Sequence, residues 1–247
     1  MMQRFDGSAE WSEADGLGGF ASGTVGGVRT RGTVCPRAPR FRSRSWSHAR
    51  GCLYDVVDCD HRAGKAGPHF RPNQILAVGG LPIALMENGR ARRIVDAVEQ
   101  RLWTPLGLRS LAPDDPEHAP HHRGGVRERD GAYHQGAIWP WLIGPFAEAW
   151  LRVRENTSEA RREARERFIK PLREHLGHAG LGHMSEVADG APLHRPGGCP
   201  FQAWPLGELM RLEHVVLAER PATGARAISG AAAETFAAAP HGAVRHV

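Results

Sequence analysis

The chain has 247 residues, 41% hydrophobic and 24% charged, an ordinary globular composition with room for one large domain or two small ones. The formal net charge is +5 and the isoelectric point about 9.5, yet only Lys65 and Lys170 among the 32 basic residues are lysine. The arginines lie scattered among acids, so no nucleic-acid-binding stripe is expected. No run of eighteen apolar residues suits a membrane span, and MMQRFDGSAEW lacks the apolar core of a secretory leader. Cys35, Cys52, Cys59 and Cys199 lack the CxxC spacing of a structural zinc site. A chain of the reducing cytoplasm is therefore expected, with neither metal nor cofactor.

Residues 11–33 are rich in Gly, Ser and Thr with short apolar alternation, and they predict loop and short strands. Residues 35–50 carry prolines and many arginines and predict a linker that turns helical near Phe41. RPNQILAVGGLPIALM is apolar enough to predict a buried helix, weakened by Gly79, Gly80 and Pro82. ARRIVDAVEQRL places Ile94, Val95, Val98 and Leu102 on one stripe, an amphipathic helix.

GAIWPWLIGPFAEAWLRV is apolar almost all round and predicts a buried helix, with Pro140 and Pro145 kinking it or confined to first turns. SEARREARERFIKPLREHL is charged, with Phe168, Leu172 and Leu176 at helical spacing and Ser158 as its cap. FQAWPLGELMRLEHVVLAER predicts a further amphipathic helix ended by Pro221 and Gly224. The Ala-rich residues 221–247 have too few large apolar side chains to pack and predict a disordered tail. Helix pairs joined by loops of unusual polar and aromatic content result, and such loops are where sites sit.

The densest such stretch is RERDGAYHQGAIWPW, with Asp130, Tyr133, His134, Gln135, Trp139 and Trp141. Sugars are bound by flat aromatic faces that stack on C–H faces of the ring. Carboxylates, amides and guanidiniums add forked hydrogen bonds to neighbouring hydroxyls. Taken singly, Trp139 and Trp141 could be core residues and His134 a satisfied histidine; as a cluster they read as a sugar site.

In GLGHMSEVADGAPLHRPGGCPFQAW, Glu186 stands between glycine-rich flanks. It is either a helix-start carboxylate or one of the two carboxyl groups that a glycoside hydrolase needs. Asp114 and Asp115 in LAPDDP precede a proline and suit an Asx turn. EADGLGGFASGTVGG lacks both the strand–GxGxxG–helix order and a phosphate-loop lysine, so a nucleotide site is not expected.

WSEADGLGGFASGTVGGVRTR resembles the N-terminal segment of bacterial glycogen debranching enzymes of the amylo-alpha-1,6-glucosidase kind. CLYDVVD, RPNQILAV, TPLGLRSLAPDDP, RERDGAYHQGAIWPWLIGPFAEAWLR and GLGHMSEVADG…RPGGCPFQAW resemble successive motifs of their catalytic domain. The resemblance implies a β-rich domain followed by an (α/α)6 toroid of six helix pairs, like that of glucoamylases. It also implies hydrolysis of α-1,6-linked glucose at glycogen branch points. Glu186 inherits the role of general base, and the cluster of Asp130, Tyr133, His134, Gln135, Trp139 and Trp141, read from its residue types as a sugar site, is expected to contact glycogen or branched α-glucan. Neither nucleic acid nor membrane is an expected partner.

The sequence also departs from that pattern. Arg31 is followed within ten residues by a segment that matches well inside the toroid, and the TWMD-type segment that carries the family's acid is missing. Six helix pairs need on the order of two hundred residues before any active-site loops, more than the matching residues 41–215 supply. The expected fold class is therefore all-α, an incomplete (α/α)6 toroid with a short Gly-rich β/loop remnant. Its parts are residues 1–34 as the remnant, 35–50 as linker and helix, 51–220 as the toroid part and 221–247 as the tail. The expected function is a debranching-enzyme-like α-1,6-glucosidase, truncated and with little activity. The alternative is an α-glucan-binding module without turnover.

Overall fold

The computed structural model describes residues 38–178 and 181–218. The whole of the expected remnant 1–34, with its Gly-rich segment 11–33, the linker 35–50 up to Arg37, and the tail 221–247 lie outside the described residues. Helix α1 spans Ala38–Arg44, around Phe41, and leads into a two-stranded antiparallel hairpin, β1 (Trp46–Ser47) with β2 (Cys52–Leu53).

RPNQILAVGGLPIALM is not the long helix that its apolarity predicts. It makes a six-residue 3-10 turn, Pro72–Ala77, and then runs irregularly. Gly79 is the reason: a Cβ there would stand 2.5 Å from the Ala149 backbone nitrogen and 2.6 Å from the Pro145 carbonyl. Close backbone contact replaces a continued helix, and glycine alone permits it.

The amphipathic stripe does form a helix, α2 (Asn88–Leu102), which buries Ala91, Ile94, Val95, Val98 and Leu102. Helix α3 (Val126–Tyr133) follows after a long connection. In GAIWPWLIGPFAEAWLRV, Pro140 opens a short 3-10 turn (Pro140–Leu142) and Pro145 sits in the first turn of α4 (Ile143–Arg152). In the first turn the missing proline N–H has no intrahelical acceptor to lose. Helix α4 buries nearly every residue, including Phe146, Trp150 and Leu151.

The charged segment forms α5 (Ser158–Ala164), a π-helical turn (Arg165–Ile169) and α6 (Lys170–His178) in one run. Pro171 explains the wide turn, because its ring would strike the Arg167 carbonyl in a regular α-helix. The cap is Thr157 and not Ser158: the Thr157 hydroxyl accepts the Ala160 N–H at 3.2 Å. The last helix, α7 (Ala203–Arg211), ends in a second π-turn over Leu212–Val216.

Phe168 is the hub of the core, fully buried and edge-on to Trp103, Phe146 and Trp150 with centroids 5.9, 5.4 and 5.4 Å away. Packing α2, α4 and the α5–α6 run around one aromatic residue makes a single hydrophobic cluster.

The fold is helix-rich, with seven α-helices among the described residues, but it is not all-α. A five-stranded antiparallel sheet runs in the order β3 (Trp103–Thr104), β4 (Gly107–Arg109), β5 (Ile138–Trp139), β6 (Val187–Ala188), β7 (Pro196–Gly197). Strands of two or three residues are too short to show an alternating pattern in sequence. Among the described residues no helix is long and apolar enough to cross a membrane.

Candidate functional site

The small sheet joins the two polar stretches. Ile138 on β5 pairs with Ala188 on β6, and Val187 on β6 pairs with Gly197 on β7. Glu186 stands immediately before β6. Its backbone N–H donates to the Cys199 carbonyl at 2.9 Å, and its Oε2 accepts the Cys199 N–H at 2.9 Å. Its other oxygen, Oε1, accepts the Tyr133 hydroxyl at 2.5 Å. Gly198 makes this possible. Its φ is +70° and a Cβ would lie 2.6 Å from Glu186 Oε2, so a side chain at 198 would displace the carboxylate.

Glu186 is partly buried, and burial pushes its pKa up. The hydrogen bonds from Tyr133 and the Cys199 N–H, with nearby His122 and the Gln202 side chain, outweigh that and hold the carboxyl below its ordinary value. Tyr133 moves the other way: burial first, and then the hydrogen bond to Glu186, push its hydroxyl well above the ordinary phenol range. An ionised carboxylate thus meets a hydroxyl that keeps its proton.

Tyr133 ends α3 among aromatic rings. It is edge-on to Trp139 with centroids 4.5 Å apart and to His134 at 4.9 Å, while Trp139 Nε1 donates to the Tyr133 carbonyl at 2.9 Å. His134 stacks on Trp139 with planes 13° apart. Tyr133 rides on α3 and Trp139 on β5, with His134 in the turn between them, so only His134 sits on a connection of the kind that the sequence suggests.

His134 and Trp139 line a cavity of about 360 Å³, with Trp141 completing its aromatic wall. Asp55, Arg71 and Asn73 line it as well. Asn73 Nδ2 donates to Asp55 Oδ1 at 2.8 Å, and Arg71 Nε lies 3.4 Å from Asp55 Oδ2. Arg71 also reaches the Ser110 carbonyl at 3.1 Å, the His134 carbonyl and the Gln135 side chain, so one guanidinium ties the cavity floor to the end of α3. The volume falls in the range of small-ligand sites, with an apolar wall and a few converging polar groups. The Trp141 indole N–H is buried with no hydrogen-bond partner among the described residues.

The nominated residues separate into groups. His134, Trp139 and Trp141 line the cavity, whereas Tyr133 and Glu186 form a hydrogen-bonded pair that is not part of its lining and is joined to it through the contacts of Tyr133 with His134 and Trp139. Gln135 lies between Arg71 and Glu117, donating to the latter at 2.7 Å. Asp130 is exposed on α3 and is not a lining residue of the cavity.

Asp55, Arg71 and Asn73 went unnominated although CLYDVVD and RPNQ display them; a polar RPNQ opening an apolar run was the available signal. Trp204 on α7 was also missed, half exposed with its ring 6.3 Å from both Trp139 and Trp141. In LAPDDP, Asp115 makes the expected Asx turn, accepting the Glu117 N–H at 3.0 Å, and Asp114 pairs with Arg101. Among the described residues no group of three or more His, Cys, Asp or Glu is placed to hold a metal ion.

Residues 37–211 match the protein family described as "Amylo-alpha-1,6-glucosidase". The glycogen debranching enzyme of Saccharomyces cerevisiae is 30% identical over 147 residues, covering 56% of this chain and 9% of the yeast protein. The chain therefore spans only a small part of the length of that relative.

Proposed function

This chain belongs to the amylo-alpha-1,6-glucosidase family, and from that premise we propose that it binds an α-1,6-linked glucose of a branched α-glucan such as glycogen, with Glu186 as the general base. One observation carries the reading. The Glu186 carboxylate is held by Tyr133, whose ring packs against Trp139 and His134, two residues that line the polar and aromatic cavity.

The chemistry follows from the groups. The Trp141 indole offers a face to the C–H face of a pyranose, Trp139, buried and stacked on His134, shapes the wall, and Asp55 with Asn73 offers a fork to adjacent hydroxyls. A carboxylate held ionised suits a base and not an acid. Glu186 would take a proton from water as that water attacks the anomeric carbon opposite the leaving oxygen, which inverts the configuration.

The leaving oxygen also needs a proton from an acid. The TWMD-type segment that would carry it is absent from this sequence. We therefore assign the chain slow hydrolysis, with its helix pairs forming part of an (α/α)6 toroid that lacks the acid's half. A glucan-binding role without turnover is the second reading, favoured by a cavity whose aromatic and polar walls stand without that acid.

The test is release of free glucose from a branched limit dextrin by the purified chain, beside Glu186→Gln, with retardation in glycogen-containing gels as the binding assay. Slow release abolished by Glu186→Gln supports the base. Retardation without release supports the binding module. Equal release from both proteins removes Glu186 from the mechanism, and neither release nor retardation removes glucan altogether.

A further inference from the structure

We propose that Tyr133 is a positioning residue that clamps the Glu186 carboxylate and does not itself contact the sugar. This deepens the reading of Glu186 as the base and rests on it. The geometry of both side chains supports the assignment. A carboxylate offers about four lone-pair sites. Tyr133 occupies one on Oε1 at 2.5 Å and the Cys199 N–H one on Oε2 at 2.9 Å, which fixes the plane of the group; with the Gln202 side chain on a third, one site is left for water.

The hydroxyl has one proton, and it is committed to Glu186. The ring is enclosed as well. Trp139 and His134 meet it edge-on, and His122 lies 5.6 Å away and tilted by 45°. Its three ring neighbours leave a poor stacking surface. The residue is held at its other end too, where its carbonyl accepts the Trp139 indole N–H. A shift of Trp139 on sugar binding would reach the base through that bond.

The charged and titratable groups facing the pair are few. His122 faces Glu186, with Arg129, Asp130 and Asp189 around that histidine, and the Gln202 side chain approaches from before α7. None of these occupies the position of the Tyr133 hydroxyl, so removing the hydroxyl alone isolates its contribution.

Tyr133→Phe in the full chain keeps the ring and deletes the clamp. The readout is the carbon-13 titration of the Glu186 side-chain carboxyl, assigned by its loss in Glu186→Gln, together with glycogen-gel retardation. The expected result is a midpoint raised by about one pH unit, with glucan affinity unchanged within about twofold.

A second variant guards against misfolding. The chain has two tyrosines, so 3,5-difluorotyrosine can be placed at 133 in a Tyr54→Phe background. A more acidic phenol is a stronger donor, and the midpoint should fall relative to that background. An unmoved midpoint in both variants overturns the clamp, and affinity lost more than tenfold in Tyr133→Phe overturns the claim that Tyr133 avoids the sugar. Neither readout needs turnover. Failure of the base reading shows instead as equal glucose release from wild type and Glu186→Gln.

Discussion

Ile138 and Ala188 face each other as one registered pair between β5 and β6, and this pair closes two distant parts of the chain onto each other. Tyr133 lies just before the first strand and Glu186 just before the second, so the pairing sets the separation of the two side chains. Helices α4, α5 and α6 intervene in sequence. The small sheet therefore fixes the site geometry, while the helices supply the core beneath it.

Asp189, just past β6, anchors the segment that leads into α3. Its side chain is 7% exposed, accepting the His122 N–H at 2.8 Å and the Arg123 guanidinium at 2.6 Å. Burial pushes its pKa up, but the hydrogen bonds from the His122 N–H and the Arg123 and His121 side chains hold it below the ordinary aspartate value. A folded-state pKa below the unfolded value of about 3.9 adds stability above that value. This contribution is lost as pH falls through the folded-state pKa. Asp189→Asn should lower the unfolding free energy by about 1–3 kcal/mol at neutral pH. Thermal unfolding followed from pH 7 down to about 3 should decline less steeply in the variant; parallel curves would contradict this.

In the cavity, Asp55 is held by Arg71 and Asn73 and has the geometry to fork two sugar hydroxyls. Asp55→Asn keeps the shape and removes the charge. Retardation in glycogen-containing gels should weaken by about tenfold, the loss of one hydrogen bond to a charged group. The Glu186 carboxyl titration should be unaffected, because Asp55 is not among the groups acting on it. Undiminished retardation would remove Asp55 from the binding site.

Thr157 and Ser158 offer a paired test of the helix start. The Thr157 hydroxyl satisfies the Ala160 N–H, one of the first-turn donors with no partner inside the helix. Thr157→Ala should cost about 1 kcal/mol, and Ser158→Ala should be close to neutral. Urea denaturation of the two variants decides it, and the reverse order would show that the cap lies one residue later.

Phe168 carries the aromatic core. Deleting its ring removes three edge-on partners and leaves a cavity beneath α4 and α6. Phe168→Ala should cost about 3–5 kcal/mol, measured as a lowered denaturation midpoint. A loss below about 1 kcal/mol would show that the core collapses around the gap.

Much of this architecture was legible in the sequence. The ARRIVDAVEQRL stripe became α2 with Ile94, Val95, Val98 and Leu102 inside, and Phe168 and Leu172 are fully buried, because a helical period depends on residues only one turn apart. The motif stretches around Tyr133 and Glu186 could likewise be singled out from residue type alone. The tertiary structure decided the rest. It made RPNQILAVGGLPIALM a short turn, since Gly79 presses against the α4 backbone, and it built a sheet from strands too short to announce themselves. It also joined Asp55 to Arg71 and Tyr133 to Glu186, contacts 16 and 53 residues apart along the chain. Local periodicity records which face of an element is buried. Which distant side chains then meet depends on how those faces pack, and no local pattern encodes that.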